Sequence, residues 1–133
     1  MNFTKTNLII SSREPEKLGR FYSSLMGLKL SGGFGLNDFC LRNRYPLKIS
    51  FYKHSNKKTK NRFNPPTLAF CLEGHPSLDP INVIDRYIEE IISFGGTLIE
   101  GPITEGFGVE AWFSDIEDNY FLVVIPLIQV DKK

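Results

Sequence analysis

The chain repeats itself, and that repeat limits its fold more than any other feature. Each half reads strand, proline-started helix, glycine stop and three further strands. Two independent segments agreeing on one order of elements carry more weight than any single propensity. In the first half, residues 3–11 (FTKTNLIIS) alternate as a strand, with Leu8 and Ile10 on one side and Asn7, Ile9 and Ser11 on the other. A helix follows from Pro15, whose missing N–H is harmless in a first turn, to a stop at Gly27. Leu18, Phe21, Tyr22, Leu25 and Met26 recur at helical spacing and form its apolar stripe. Three strands are expected at 28–31, 37–42 and 46–53.

Residues 54–66 (HSNKKTKNRFNPP) read as a polar, basic connector, because the closing prolines cannot continue a sheet interior. The order of elements then returns. Residues 67–73 (TLAFCLE) make a strand with Leu68, Phe70 and Leu72 on one face. Asp79 fits a helix N-cap and Pro80 its first position. Ile81, Ile84, Ile88, Ile91 and Ile92 supply the stripe, and Gly95–Gly96 the stop. Strands at 97–103, 107–114 and 119–126 complete the half, the last two joined by a tight turn over Asp115–Asp118.

One such unit cannot cover both faces of its sheet: its helix shields one face, and the other needs a second copy or a ligand. The expected fold is therefore α+β, with two β-α-β-β-β repeats forming a mixed, eight-stranded, cup-shaped sheet and helices on its outer face. The chain reads as one domain over 1–133, with repeat one at 3–53, the connector at 54–66 and repeat two at 67–126.

Composition excludes several classes of function. Sixteen basic and 15 acidic residues leave a net charge of +1, so nothing pulls the chain broadly toward nucleic acid or acidic lipid. The N-terminus lacks the pattern of a secretion signal, and no apolar run approaches the roughly 20 residues of a membrane span. A cytoplasmic protein is expected. Cys40 and Cys71 sit apart in apolar runs and read as small buried hydrophobes. His54 and His75, the two imidazoles, fall in the connector and in the Gly74–Pro76 turn, where surface positions are expected. The cations Lys53, Lys57, Lys58, Lys60 and Arg62 read as a solvated linker.

Three stretches carry a likeness to a known family: Phe21-Tyr22-Ser23-Ser24-Leu25-Met26-Gly27-Leu28, Gly95-Gly96-Thr97-Leu98-Ile99-Glu100-Gly101-Pro102, and Trp112-Phe113-Ser114-Asp115-Ile116-Glu117-Asp118-Asn119-Tyr120-Phe121. Together, in this order, they resemble the vicinal oxygen chelate superfamily of glyoxalases, bleomycin-resistance proteins and extradiol dioxygenases. The third resembles its F-x-DP-x-GN turn, with Ile116 in place of Pro and Asp118 in place of Gly. The resemblance implies that any metal would be held from the first, fifth and eighth strands. Those positions fall on Asn7, Thr67 and Leu122. Asn and Thr are weak ligands for transition ions and Leu has no donor, so no metal and no cofactor are expected.

If the alternation holds, the inner face carries Asn7, Ile9, Thr67, Ala69, Cys71, Glu110, Trp112, Leu122 and Val124. An apolar-aromatic surface with few polar groups suits a small molecule. Trp112 offers a stacking plane, unless it simply closes the core. Glu110 can balance a positive ligand group, although a solvated rim carboxylate is the expectation. The resemblance thus implies a metal-free small-molecule binder without catalysis, dimeric like the bleomycin-resistance branch, with no nucleic-acid or membrane partner. The alternative is a lyase or dioxygenase with non-standard ligands. A third reading, a scaffold for protein contacts, gains if the cup is filled by its own side chains.

Overall fold

The structure, a computed structural model, describes residues 1–26, 28–35, 37–41, 48–53, 64–116 and 118–129, leaving aside the side chains of residues 21, 22, 25 and 26. Its elements are β1 (Phe3–Ser11), α1 (Pro15–Met26), β2 (Leu30–Gly32), β3 (Phe39–Leu41), β4 (Lys48–Tyr52), β5 (Leu68–Gly74), α2 (Pro80–Ser93), β6 (Thr97–Glu105), β7 (Gly108–Ser114) and β8 (Tyr120–Pro126). The doubled β-α-β-β-β unit is present.

The strands form one eight-stranded sheet in the order β2-β3-β4-β1-β5-β8-β7-β6. In each repeat the first strand therefore lies beside the fourth, followed by the third and the second. The sheet is mixed: β1 and β4 run parallel, whereas β2–β3, β3–β4, β6–β7 and β7–β8 are antiparallel. Two compact bodies divide the chain, one of Thr6–Cys71 and one of Met1–Lys5 with Leu72–Lys133. Their boundary runs through β1 and β5 rather than along the connector.

In the body containing α2, the helix starts as its sequence dictates. The Asp79 side chain accepts the Asn82 N–H at 3.4 Å, and Pro80 follows the cap. At the other end the Gly96 N–H reaches the Ile91 carbonyl at 2.9 Å, satisfying a carbonyl the helix leaves open. Ile84 and Ile91 pack with Val109, Ala111, Phe113, Val123 and Ile125, and Val83, Tyr87 and Ile88 flank them. Ile81 and Ile92, expected in this stripe, are exposed. A helix advances 100° per residue, so the arc centred on Ile84, Tyr87, Ile88 and Ile91 leaves both on one flank, beyond Ile88. All seven residues of β7 are buried, so both of its faces are covered. Phe113 and Phe121 stack across β7 and β8 with ring centroids 5.4 Å apart.

In the other body, α1 lies close on its strands. A Cβ at Gly19 would meet Leu30 Cδ1 at 2.8 Å and Phe51 Cδ2 at 3.3 Å, so a side chain there would force the Leu30 side chain to shift. β2 and β3 are shorter than expected, with three residues each. At the start of β3 the Asp38 carboxylate accounts for the difference, accepting the Gly35 N–H at 3.2 Å and the Lys53 N–H at 3.3 Å. Residues 37 and 38 are thereby drawn into a folded loop instead of the ladder. Cys40, Leu41, Phe51 and Tyr52 are buried. The expected stop at Gly27, the connector residues 54–63 with His54 and their lysines, and the terminal residues 130–133 lie outside the described residues.

Candidate functional site

Strand alternation sorts β7 into two faces. Val109, Ala111 and Phe113 join the core with α2, so Glu110, Trp112 and Ser114 point to the face opposite that helix. Register adds their neighbours: Trp112 stands opposite Leu122 on one side and Glu100 on the other. Glu110 stands opposite Val124 and Ile103. Directly opposed residues in antiparallel strands share a face with Cβ atoms about 5 Å apart. The indole is thus flanked by hydrocarbon on β8, by one carboxylate on β6 and by another two residues along its own strand.

This cluster is closed. Trp112 is 1% exposed, Glu110 3% and Glu100 5%, while Leu122 and Val124 are fully covered. Glu110 is therefore a buried carboxylate and not the solvated rim group expected. Trp112, Glu110 and Glu100 all have interaction partners within the protein. An isolated ionised carboxylate in such surroundings would be strongly disfavoured.

Glu100 was not legible from the sequence. Between Leu98 and Ile103 the β6–β7 register shifts twice, so counting alternate residues along β6 gives the wrong face. Only its partnership with Trp112 places it here.

The other expected residues lie in the body of Thr6–Cys71. Asn7 and Ile9 occupy alternate buried positions of β1, opposite Lys48 and Ser50 of β4. Ala69 and Cys71 are the buried alternates of β5, whereas Leu68 and Phe70 are exposed. Thr67, expected on the inner face, lies one residue ahead of β5 and is exposed, its carbonyl accepting the Ser11 N–H at 2.9 Å. His75 is exposed as expected.

The donors present do not suit a transition ion. Of the three positions the family resemblance singles out, Asn7 offers an amide, Thr67 faces solvent and Leu122 offers hydrocarbon. Among the described residues no three of His, Cys, Asp and Glu are grouped so as to hold a metal. No helix among them is long and apolar enough to cross a membrane.

A separate apolar hollow of about 240 Å³ lies at the end of α2, walled by Phe3, Leu72, Ile91, Phe94, Ile116 and Phe121. Phe94 and Ile116 stand exposed at it. No periodic pattern announces this feature, since both residues sit in turns.

No family model matches the sequence, and no curated protein matches it. Among solved structures, the chain is similar to an NAD-dependent benzaldehyde dehydrogenase from Legionella pneumophila, with a TM-score of 0.69 and 10% identity over 91% of this chain and 98% of that one. It is similar to the hypothetical protein BH1468 from Bacillus halodurans C-125, with a TM-score of 0.64 and 15% identity over 99% and 100%. A glyoxalase/bleomycin resistance protein/dioxygenase superfamily member from Vibrio splendidus 12B01 gives a TM-score of 0.49 and 7% identity over 90% and 96%. The first two likenesses establish a shared fold over nearly the whole chain. At such identities they carry no chemistry with them.

Proposed function

We propose that this chain is a metal-free small-molecule-binding protein of the glyoxalase/bleomycin-resistance type. The observation that carries the reading is Trp112 set in register between Leu122 and Glu100, with Glu110 two residues away on the same face. An indole beside two carboxylates in a dry setting suits a planar organic cation. The ring supplies stacking and the carboxylates supply countercharge, both stronger where water is excluded.

Because the cluster is closed, a ligand must reach it through an opened state, and its affinity falls by the fraction of molecules that are open. In this reading the protein acts in the cytoplasm as a homodimer, without nucleic-acid or membrane partners; its balanced charge supports the latter.

Native mass spectrometry beside elemental analysis of the purified protein tests the proposal. The expected result is a retained or added organic molecule with no stoichiometric transition metal. Because Trp112 is the sole tryptophan, its emission reports on the cluster directly. A bound cation should quench it, and Glu110→Gln should weaken that binding. One equivalent of Fe, Mn, Ni or Zn would instead support the lyase or dioxygenase alternative.

A second reading, a scaffold for protein contacts, is favoured by the closure of the cluster and by the exposed Phe94 and Ile116 at the apolar hollow. It requires Trp112 emission to stay unchanged across cationic ligands, with acrylamide failing to reach the ring.

A further inference from the structure

Four cations converge on a groove that the reading above does not use. It lies at the start of α1, has a volume of about 630 Å³, and is lined by Arg13, Lys17, Arg20 and Lys53 with Asn37 and Phe39. The chain as a whole carries a net charge of only +1, so this is a local concentration.

Two carboxylates also line the groove, and both are engaged. Glu14 lies 3.6 Å from Lys17 Nζ, and Glu16 accepts from Arg20 Nη2 at 2.6 Å. Arg13 and Lys53 form no ion pair among the described residues. Solvent-exposed pairs such as the first two are weak and exchange readily for a better anion.

The backbone on both sides is fixed. On one side the Ser12 N–H reaches the Tyr52 carbonyl at 2.9 Å, and Ser12 Oγ accepts the Glu14 N–H at 3.1 Å. On the other, Asp38 ties Gly35 to Lys53. Arg13 and Lys53 therefore project from anchored positions. The first turn of α1 opens beside them and favours negative charge.

We infer that this groove binds a phosphorylated small molecule. Arg13 and Lys53 are the cations that meet the phosphoryl group. Lys17 and Arg20 turn from their glutamates toward it, and the half-buried Phe39 ring lies alongside the organic part. Guanidinium and ammonium groups suit phosphoryl oxygens through charge-assisted hydrogen bonds.

Calorimetric titration of the full chain with phenyl phosphate, inorganic phosphate and phenol, with amide shifts mapped by NMR, tests this inference. Phenyl phosphate should bind at low salt with a dissociation constant of about 1 mM or tighter, shifting the amides of Arg13 and Lys53, and phenol should not bind. Arg13→Ser with Lys53→Ser should weaken binding about tenfold. Lys5→Ser with Lys29→Ser removes equal charge from exposed sites outside the groove and should leave affinity within about twofold. Phenyl phosphate binding more tightly than inorganic phosphate supports an aromatic ester held against Phe39; equal affinities support recognition of the phosphoryl group alone. The inference is overturned by wild-type protein that binds neither anion at about 10 mM, by equal losses in the two double variants, or by phenol matching phenyl phosphate.

Discussion

Gly108 opens β7 and fixes the register that brings Glu110 and Trp112 to one face, so its replacement by alanine tests the architecture of the candidate site. The residue sits at φ +149° opposite Pro126 of β8. A Cβ there would lie 2.8 Å from Pro126 Cα and 2.9 Å from the Leu127 nitrogen, and it would strike the Ile125 carbonyl oxygen as well. All three obstacles are backbone, so no rotamer change relieves them. The backbone conformation alone costs a non-glycine residue about 1–3 kcal/mol. Relief would require β8 to withdraw, losing the hydrogen bond from the Leu127 N–H to the Phe107 carbonyl at 2.8 Å. That adds about 1 kcal/mol. Gly108→Ala should therefore destabilise the fold by about 2–4 kcal/mol, a large share of the roughly 5–15 kcal/mol that holds a domain together. Urea unfolding followed by Trp112 emission measures it, and the midpoint should fall by roughly 1–3 M. Gly106→Ala, only two residues earlier, is the control: a Cβ there has nothing within 4 Å, and stability should stay within about 0.5 kcal/mol. If the two variants unfold alike, steric pinning of the register at Gly108 is wrong.

Asp118 occupies the left-handed region at φ 63°, so Asp118→Val should cost about 1 kcal/mol or more while Asp118→Gly should be neutral or slightly stabilising in the same urea assay. Ile84, on the core-facing side of α2, is fully buried, and Ile84→Ala should cost about 2–5 kcal/mol by urea or thermal unfolding. Asp79→Ala removes the α2 cap and should cost about 1 kcal/mol, with amide exchange accelerating first at Asn82.

The sequence showed the doubled unit because the signals that mark it are local. Pro15 and Pro80 occupy first helical positions, where a missing N–H is harmless, and Gly95–Gly96 ends the second helix through the Ile91 carbonyl. The third motif was legible down to its exception. Asp118 replaces the glycine of the family's turn, and the backbone there has the positive φ that glycine serves. The turn is held through Asp115, whose carboxylate accepts the Asn119 N–H at 2.9 Å.

The site was legible only in part, because it depends on which strands lie inside. Alternation placed Glu110 on the same face as Trp112 but could not show that this face is covered, since a period of two says which side a residue points to and not what packs over it. Glu100 depends on a register that shifts twice along β6, and a period of two does not survive such shifts. The basic groove joins Arg13 to Lys53 through folding of the chain, and no spacing along the sequence announces it.

The two compact bodies are out of step with the two repeats by half a strand, since Met1–Lys5 belong with α2 and not with the helix that follows them. Phe3 meets Tyr87 edge-on at 5.3 Å, and the Tyr87 hydroxyl bonds to the backbone of Asn2. Trimming or tagging the leading residues would thus edit the packing beneath the second helix rather than a disposable extension. For the same reason, a fragment beginning after the linker would lack Phe3, which packs against its core beside Tyr87.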